Sequence, residues 1–230
     1  MTALRFFLVL SCAITIAGEA SRSPGFDAAR LRTGSFRYRT LVDGKESGQS
    51  RIQIRRSSES RVTFSNSVDG SFAQSWEAIA NPDMSPVSAK LVFGEGADAK
   101  PAFELSYQGG RVSGFAKSRA VDDAVVAGTV DQRIDWAAVM SLQHYRKGDE
   151  YVFHVYDPGT GNSRVNVKIA GPEIVEVPAG KFETLRVVYR IEKNKGTEEY
   201  HVFIRHALPR FLVKEEFPNG AVTELVGIEP

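Results

Sequence analysis

The chain has 230 residues, with 29 Lys and Arg against 28 Asp and Glu, so its formal net charge is +1; it is 42% hydrophobic and 25% charged. This balance excludes intrinsic disorder, which requires low hydrophobicity with high net charge. It also argues against nucleic acid as a partner, since no long-range field attracts phosphate. One cysteine excludes an intramolecular disulfide and any multi-cysteine metal site.

Arg5 precedes an uncharged run from Phe6 to Ala17, and small residues follow at Gly18 and Ala20. That is the layout of a secretory signal peptide cut after Ala20. Val9-Leu10-Ser11-Cys12 also resembles a lipobox, in which Cys12 would be lipidated. The apolar run before Cys12 is short and continues through Ile14 and Ile16, which favours simple cleavage. The expectation is an exported, periplasmic protein, with lipoprotein anchoring through Cys12 as the alternative. Cleavage leaves a chain without cysteine, suited to an oxidising compartment. The expected organisation is a signal peptide at 1–20, a polar lead at 21–33 and one antiparallel β domain at 34–230.

Within the lead, Ala28 to Leu31 suits a single helical turn. From Gly34 onward the pattern has period two. Phe36, Tyr38, Thr40 and Val42 alternate with Arg37, Arg39 and Leu41, and Ile52 and Ile54 alternate with Arg51, Gln53 and Arg55. Val62 and Phe64 follow, then Phe72, Gln74 and Trp76 at a shared parity. Such alternation puts apolar side chains on one sheet face. Asp43-Gly44, Asp69-Gly70 and Gly109-Gly110 are turn signals, because glycine tolerates positive φ. Lys90 to Phe93, Phe103 to Tyr107, Val112 to Ala116 and Ala124 to Val130 are further strand segments.

One helix is predicted, from Asp135 to His144, with Asp135 as its N-cap and Trp136, Val139, Met140 and Leu142 on its apolar side. Strands resume at Tyr151 to Val155, Val165 to Ile169, Ile174 to Val177 and Leu185 to Ile191. Val202 to Ile204, Phe211 to Phe217 and Ala221 to Ile228 complete the series. No fixed-period repeat occurs, so a propeller or solenoid is excluded. The fold class is therefore all-β and mainly antiparallel, a strongly curved or barrel-like sheet with one short helix that covers an open face or plugs one end.

Val175-Glu-Val-Pro178-Ala179-Gly180-Lys-Phe182 resembles a recurring signature of exported bacterial proteins in a domain-of-unknown-function family. The order around it agrees, from the helix with Trp136 through Tyr151 to Val155, and then His206-Ala207-Leu208-Pro209-Arg210-Phe211. The resemblance spans roughly the last hundred residues, about the size of a small domain. It implies an envelope protein with a curved antiparallel sheet. By architectural analogy, similar exported sheets such as lipoprotein carriers hold acyl chains in the concave face. It implies no catalytic residue.

The four histidines, His144, His154, His201 and His206, lack metal-ligand spacing; in a strand His201 and His206 point to opposite faces. No metal or cofactor is expected. Asp122-Asp123 and Asp131 with Asp135 read as turn and cap residues rather than as a carboxylate dyad. No Gly-x-Ser-x-Gly or phosphate loop is present, so a hydrolase is the least favoured class. Arg37, Arg39, Arg51, Arg55, Arg56 and Arg61 could form a basic stripe toward anionic lipid or cell-wall polymer. The competing reading is a solvated face paired to acids such as Glu46 or Glu59. The weak ligand-binding candidates are Phe64, Phe72, Trp76, Phe103, Phe115 and Phe153, which either fill a core or line an apolar cavity. The favoured function is a non-enzymatic envelope protein that holds a lipid or other amphiphile in the concavity. The alternative is a surface interaction or scaffold protein of the envelope.

Overall fold

The computed structural model describes residues 24–57, 61–69, 73–94, 96, 99–193 and 196–229. The predicted signal segment and Phe72 lie outside them. Fifteen strands form one sheet. The first eight are β1 (Gly34–Val42), β2 (Lys45–Arg56), β3 (Val62–Val68), β4 (Gln74–Ala80), β5 (Pro86–Phe93), β6 (Lys100–Gln108), β7 (Arg111–Ala116) and β8 (Arg119–Ala124). The rest are β9 (Thr129–Asp131), β10 (Glu150–Asp157), β11 (Gly161–Val177), β12 (Gly180–Lys193), β13 (Gly196–Arg205), β14 (Leu212–Glu216) and β15 (Val222–Glu229). The helix α1 (Asp135–Ser141) lies between β9 and β10.

The order across the sheet is β8 to β1, then β15 down to β9. Two antiparallel meanders are therefore joined where β1 pairs with β15, with Ser35 opposite Glu229. The short β9 runs parallel to β10. The sheet ends, β8 and β9, are consecutive in sequence, so the chain itself bridges the gap through residues 125–128. No ladder closes the gap among the described residues. Side chains span it instead: Tyr156 donates to Asp123 at 2.6 Å, and Asn162 Nδ2 to the Ala124 carbonyl at 3.0 Å. The result is a barrel-like sheet with an unladdered seam.

The alternation read from sequence places the core. Phe36, Tyr38, Ile54, Phe64 and Leu105 from the first meander are buried, as are Val155, Val167, Val187, Ile204 and Leu225 from the second. Asp43 and Gly44 have φ of 50° and 74°, the type I′ geometry whose twist matches the flanking strands. Pro178 and Ala179 form the two-residue turn between β11 and β12, where Val177 faces Gly180. The predicted strand from Ala124 to Val130 is corrected: residues 125–128 are a turn, flanked by β8 and β9. Ile169 and Ile174 belong to one long strand with a register shift at Ile169/Gly171, where the sequence suggested two segments.

The helix is shorter than predicted. It ends at Ser141 because Leu142 turns extended, with φ −49° and ψ 131°, and forms a bridge with Phe26. Asp135 is not its cap; it is the first helical residue. The capping aspartate is Asp131, which accepts from Arg133 N–H ahead of a 3-10 turn at Gln132–Ile134. Ala137, Ala138, Val139 and Met140 are each at most 1% exposed, so the helix is enclosed on every side. Its C-terminal end is held by Arg210, whose Nη1 donates to the Met140 and Leu142 carbonyls at 2.9 and 2.8 Å. The lead segment closes the same end: Asp27 N–H donates to Ser141 and Gln143 N–H to Gly25. A 3-10 turn at Ala28–Arg30 occupies the predicted helical turn.

Candidate functional site

The N-terminal end of the helix faces a cavity of 590 Å³ between the two meanders. Its rim carries the exposed Ser47 and Asp69, and its floor the buried Asp135, Tyr189, Ile191 and Leu212. Trp76 and Leu91 come from the first meander, Trp136 from the helix, and Tyr200 and Phe217 from the second meander. They form an apolar, aromatic wall. Tyr200 stacks edge-on between Tyr189 and Phe217, at 5.6 and 5.8 Å between ring centroids. Trp136 is fixed by its Nε1 donating to the Arg133 carbonyl at 2.9 Å and by an edge contact with Phe64.

Four acids line this space, Asp69, Asp135, Asp157 and Glu215, and the pKa values of two of them, Asp135 and Glu215, are raised. Asp135 accepts from Tyr189 Oη and from Trp136 N–H. Burial pushes its pKa up to about 7, against the lowering effect of both bonds and of nearby Arg133. Glu215, from β14, faces inward beside Thr223 of β15. No hydrogen bond or ion pair engages its carboxyl among the described residues. Burial, with the Asp135 charge adding to it, lifts this group to about 8. The Tyr189 phenol is held well above its ordinary value, first by burial and then by Asp135.

Arg133, the one cation on the described lining, is already engaged. It forks onto the fully buried Asp131 at 2.6 and 2.8 Å, donates to Asp157 at 2.6 Å and lies 4.4 Å over the Phe103 ring. Tyr107 adds a bond to Asp131 at 2.5 Å. Burial alone would weaken the guanidinium's hold on its proton, but the two aspartates and Tyr107 raise it further. Asp131 therefore does more than cap, since it anchors a buried ion pair, and Asp135, which is not a cap, lines a cavity. Asp122 and Asp123 lie in β8, not in a turn. Asp122 pairs with Arg111 across the sheet, and Asp123 accepts from Tyr156 at the seam.

The aromatic candidates do not converge. Trp76 lines the cavity. Phe64 is fully buried behind Trp136. Phe103 is buried beneath Arg133, and Phe115 is half-buried on β7. Phe153 packs edge-on against Phe26 beside a second, seam-side cavity of 620 Å³ that includes Val126 and His154. Of the basic stripe, Arg37 and Arg51 pair with Glu229, Arg39 with Glu224, and Arg56 donates to the Ala28 and Leu31 carbonyls. The acids are thus on β15, the strand that completes the sheet beside β1, rather than at Glu46. His201 sits between Glu199 and Glu216 at 3.1 and 3.4 Å.

Sequence reasoning missed Glu215, Tyr189 and Arg133. Glu215 shares the parity of Phe211, Val213 and Phe217, so an acid stood in an apolar register. Arg133 lies between two aspartates at spacing two, directly before the predicted helix. Those two irregularities were the available signal.

Comparison with known proteins agrees with the architecture. A search of curated proteins finds no match. Among solved structures, a β-barrel-like protein of domain of unknown function DUF1849 from Brucella abortus superposes with a TM-score of 0.57 at 11% identity. That match covers 87% of this chain and 98% of the other, and supports the fold alone. A candidate exported protein with a YmcC-like fold from Bacteroides fragilis scores 0.41 at 12% identity, over 91% of this chain and 100% of its own. The family model described as "Protein of unknown function (DUF3108)" matches residues 26–226, nearly the whole barrel-like sheet with the lead segment and helix. The chain therefore belongs to the DUF3108 family.

Proposed function

We propose that the protein is an exported, non-enzymatic envelope component that binds a single amphiphilic molecule in the cavity at the helix N-terminal end. The carrying observation is the 590 Å³ space itself, with an aromatic wall and a polar floor. Its size lies within the range of ligand sites, which combine apolar walls with a few oriented polar groups. The surface-interaction reading is weaker, because the arginine stripe is largely matched by Glu224 and Glu229. The leader read at residues 1–20 supports export.

Both tryptophans of the chain, Trp76 and Trp136, line the cavity. Intrinsic emission is therefore a direct reporter. Titration with single-chain amphiphiles below their micelle concentrations is expected to shift and saturate the emission at one equivalent. Native mass spectrometry of the same sample should show one bound molecule. Emission unchanged by amphiphiles of every head type would overturn the proposal.

A further inference from the structure

The ligand's head can be deduced from the cavity's charge balance, an inference that rests on the binding role proposed above. The described lining offers acceptors and carboxyls in excess of cations. Asp135 and Glu215 both face the space, and Asn66 Oδ1, also on the lining, is buried without a partner. Asp157 and the rim residue Asp69 are the other lining acids. The single lining cation, Arg133, gives its fork to Asp131 and its remaining Nη to Asp157, so its charge is already matched by two carboxylates before an anionic head could meet it. Lys214, next to Glu215 in sequence, has the opposite parity; its Nζ bonds Glu216 at 2.8 Å and lies over the Phe203 ring. Glu215 thus faces the cavity, half-buried, with no counter-ion supplied by the described chain.

We propose that the cavity is selective for a single-chain amphiphile with a positively charged nitrogen head, which seats against Glu215 and Asp135 while Trp76, Trp136, Tyr200 and Phe217 enclose the chain and the head. A cation supplies the missing counter-charge, and aromatic faces attract a quaternary or protonated nitrogen. A carboxylate or phosphate head would meet two carboxyls and no unmatched cation, so it is rejected by the same groups.

The acidity of the site makes this coupling measurable. Around Glu215, the phenols of Tyr38, Tyr189 and Tyr200 are all raised above their ordinary values, first by burial, and stay neutral from pH 6 to 9. Arg133 stays charged. The lining carboxyls lifted into that window are Asp135 and Glu215, so cation binding draws protons out of the site.

The test uses three probes of one chain length: dodecyltrimethylammonium, dodecanol and dodecanoate. The quaternary ammonium cannot titrate, so any pH dependence of its binding belongs to the protein. By tryptophan emission and calorimetry at pH 7.5, the ammonium should bind at least tenfold more tightly than the alcohol, and the carboxylate more weakly than either. Ammonium affinity should rise from pH 6 to pH 9, with proton release seen as a buffer-dependent heat. Glu215→Gln keeps the side-chain shape and breaks no recorded bond; it should weaken ammonium binding about tenfold and leave dodecanol within twofold. Equal binding of ammonium and alcohol, or preference for the carboxylate, would overturn the head assignment while leaving the binding role intact. Failure of all three probes would overturn the binding role itself.

Discussion

Asp131 is fully buried and Glu215 half-buried, and they differ in their partners, since Arg133 meets the first and no cation meets the second among the described residues. Asp131 is 0% exposed and accepts the Arg133 fork. Removing the guanidinium leaves a buried charge uncompensated, so Arg133→Met is expected to cost about 3–5 kcal/mol in urea denaturation. Asp157→Asn, at the more accessible end of the same network, should cost less, about 1.5–3 kcal/mol, the range of a hydrogen bond between charged groups. Glu215 and Asp135 instead favour the protonated form. In the folded state they hold protons that the unfolded chain releases near ordinary carboxylate values. Stability without ligand should therefore be greatest below about pH 4.5 as far as these groups are concerned, and decline as pH rises toward about 8. Thermal melts between pH 5 and 8.5 check this, and Glu215→Gln should flatten the decline. The residue scale is where the sequence was hardest to read. Phe36, Ile54 and Val187 declared their burial by alternation, whereas Tyr189 and Glu215 share that alternation and differ only in what the cavity leaves unfilled. Periodicity reports the face of a strand, and a filled core and a lined cavity share the same face.

Turn chemistry explains which elements were legible. Asp43-Gly44 and Gly109-Gly110 announced their hairpins. The turn between β7 and β8 did not, since Lys117 and Ser118 occupy the left-handed region at φ 48° and 63° without glycine or asparagine. Replacing this pair with Asn-Gly should stabilise the protein by about 1 kcal/mol, read as a rise in Tm. Gly114 behaves in the opposite sense. Its φ is 142°, and an added Cβ would stand 2.0 Å from the Glu104 carbonyl oxygen of β6. Gly114→Ala should destabilise the β6–β7 pair by about 1–3 kcal/mol or more. The helix shows a third pattern, because its end is fixed from far away in sequence. Arg210 meets the carbonyls of Met140 and Leu142 and stacks 4.2 Å over Tyr145. Arg210→Met is expected to lower stability by about 2–4 kcal/mol, since it orphans buried carbonyls with charged donors. No local pattern around residues 135–144 reveals that partner, which is why the helix was predicted too long.

At the scale of the molecule, two meanders are joined by a continuous ladder on one side and by side chains on the other. The β1–β15 pairing is the strong join, while the β8 seam rests on Tyr156, Asn162 and their two acceptors. Tyr156→Phe with Asn162→Ala should therefore speed amide exchange in residues 119–124 while leaving β1 and β15 unchanged. The all-β class and antiparallel meanders were readable from strand spacing and turns. The order of closure was not, because alternation is blind to which edge meets which. That order has a kinetic cost. Each meander forms from neighbours in sequence, but β1 has no permanent partner on its outer edge until β15 exists, almost the full length of the chain later. Until then its unpaired edge is open to strands of other chains. Joining so distant a pair is the slow kind of event in folding, since loop closure must precede its reward. The same late ladder brings the two halves of the cavity wall together, so a competent binding site and a protected edge arise in a single step.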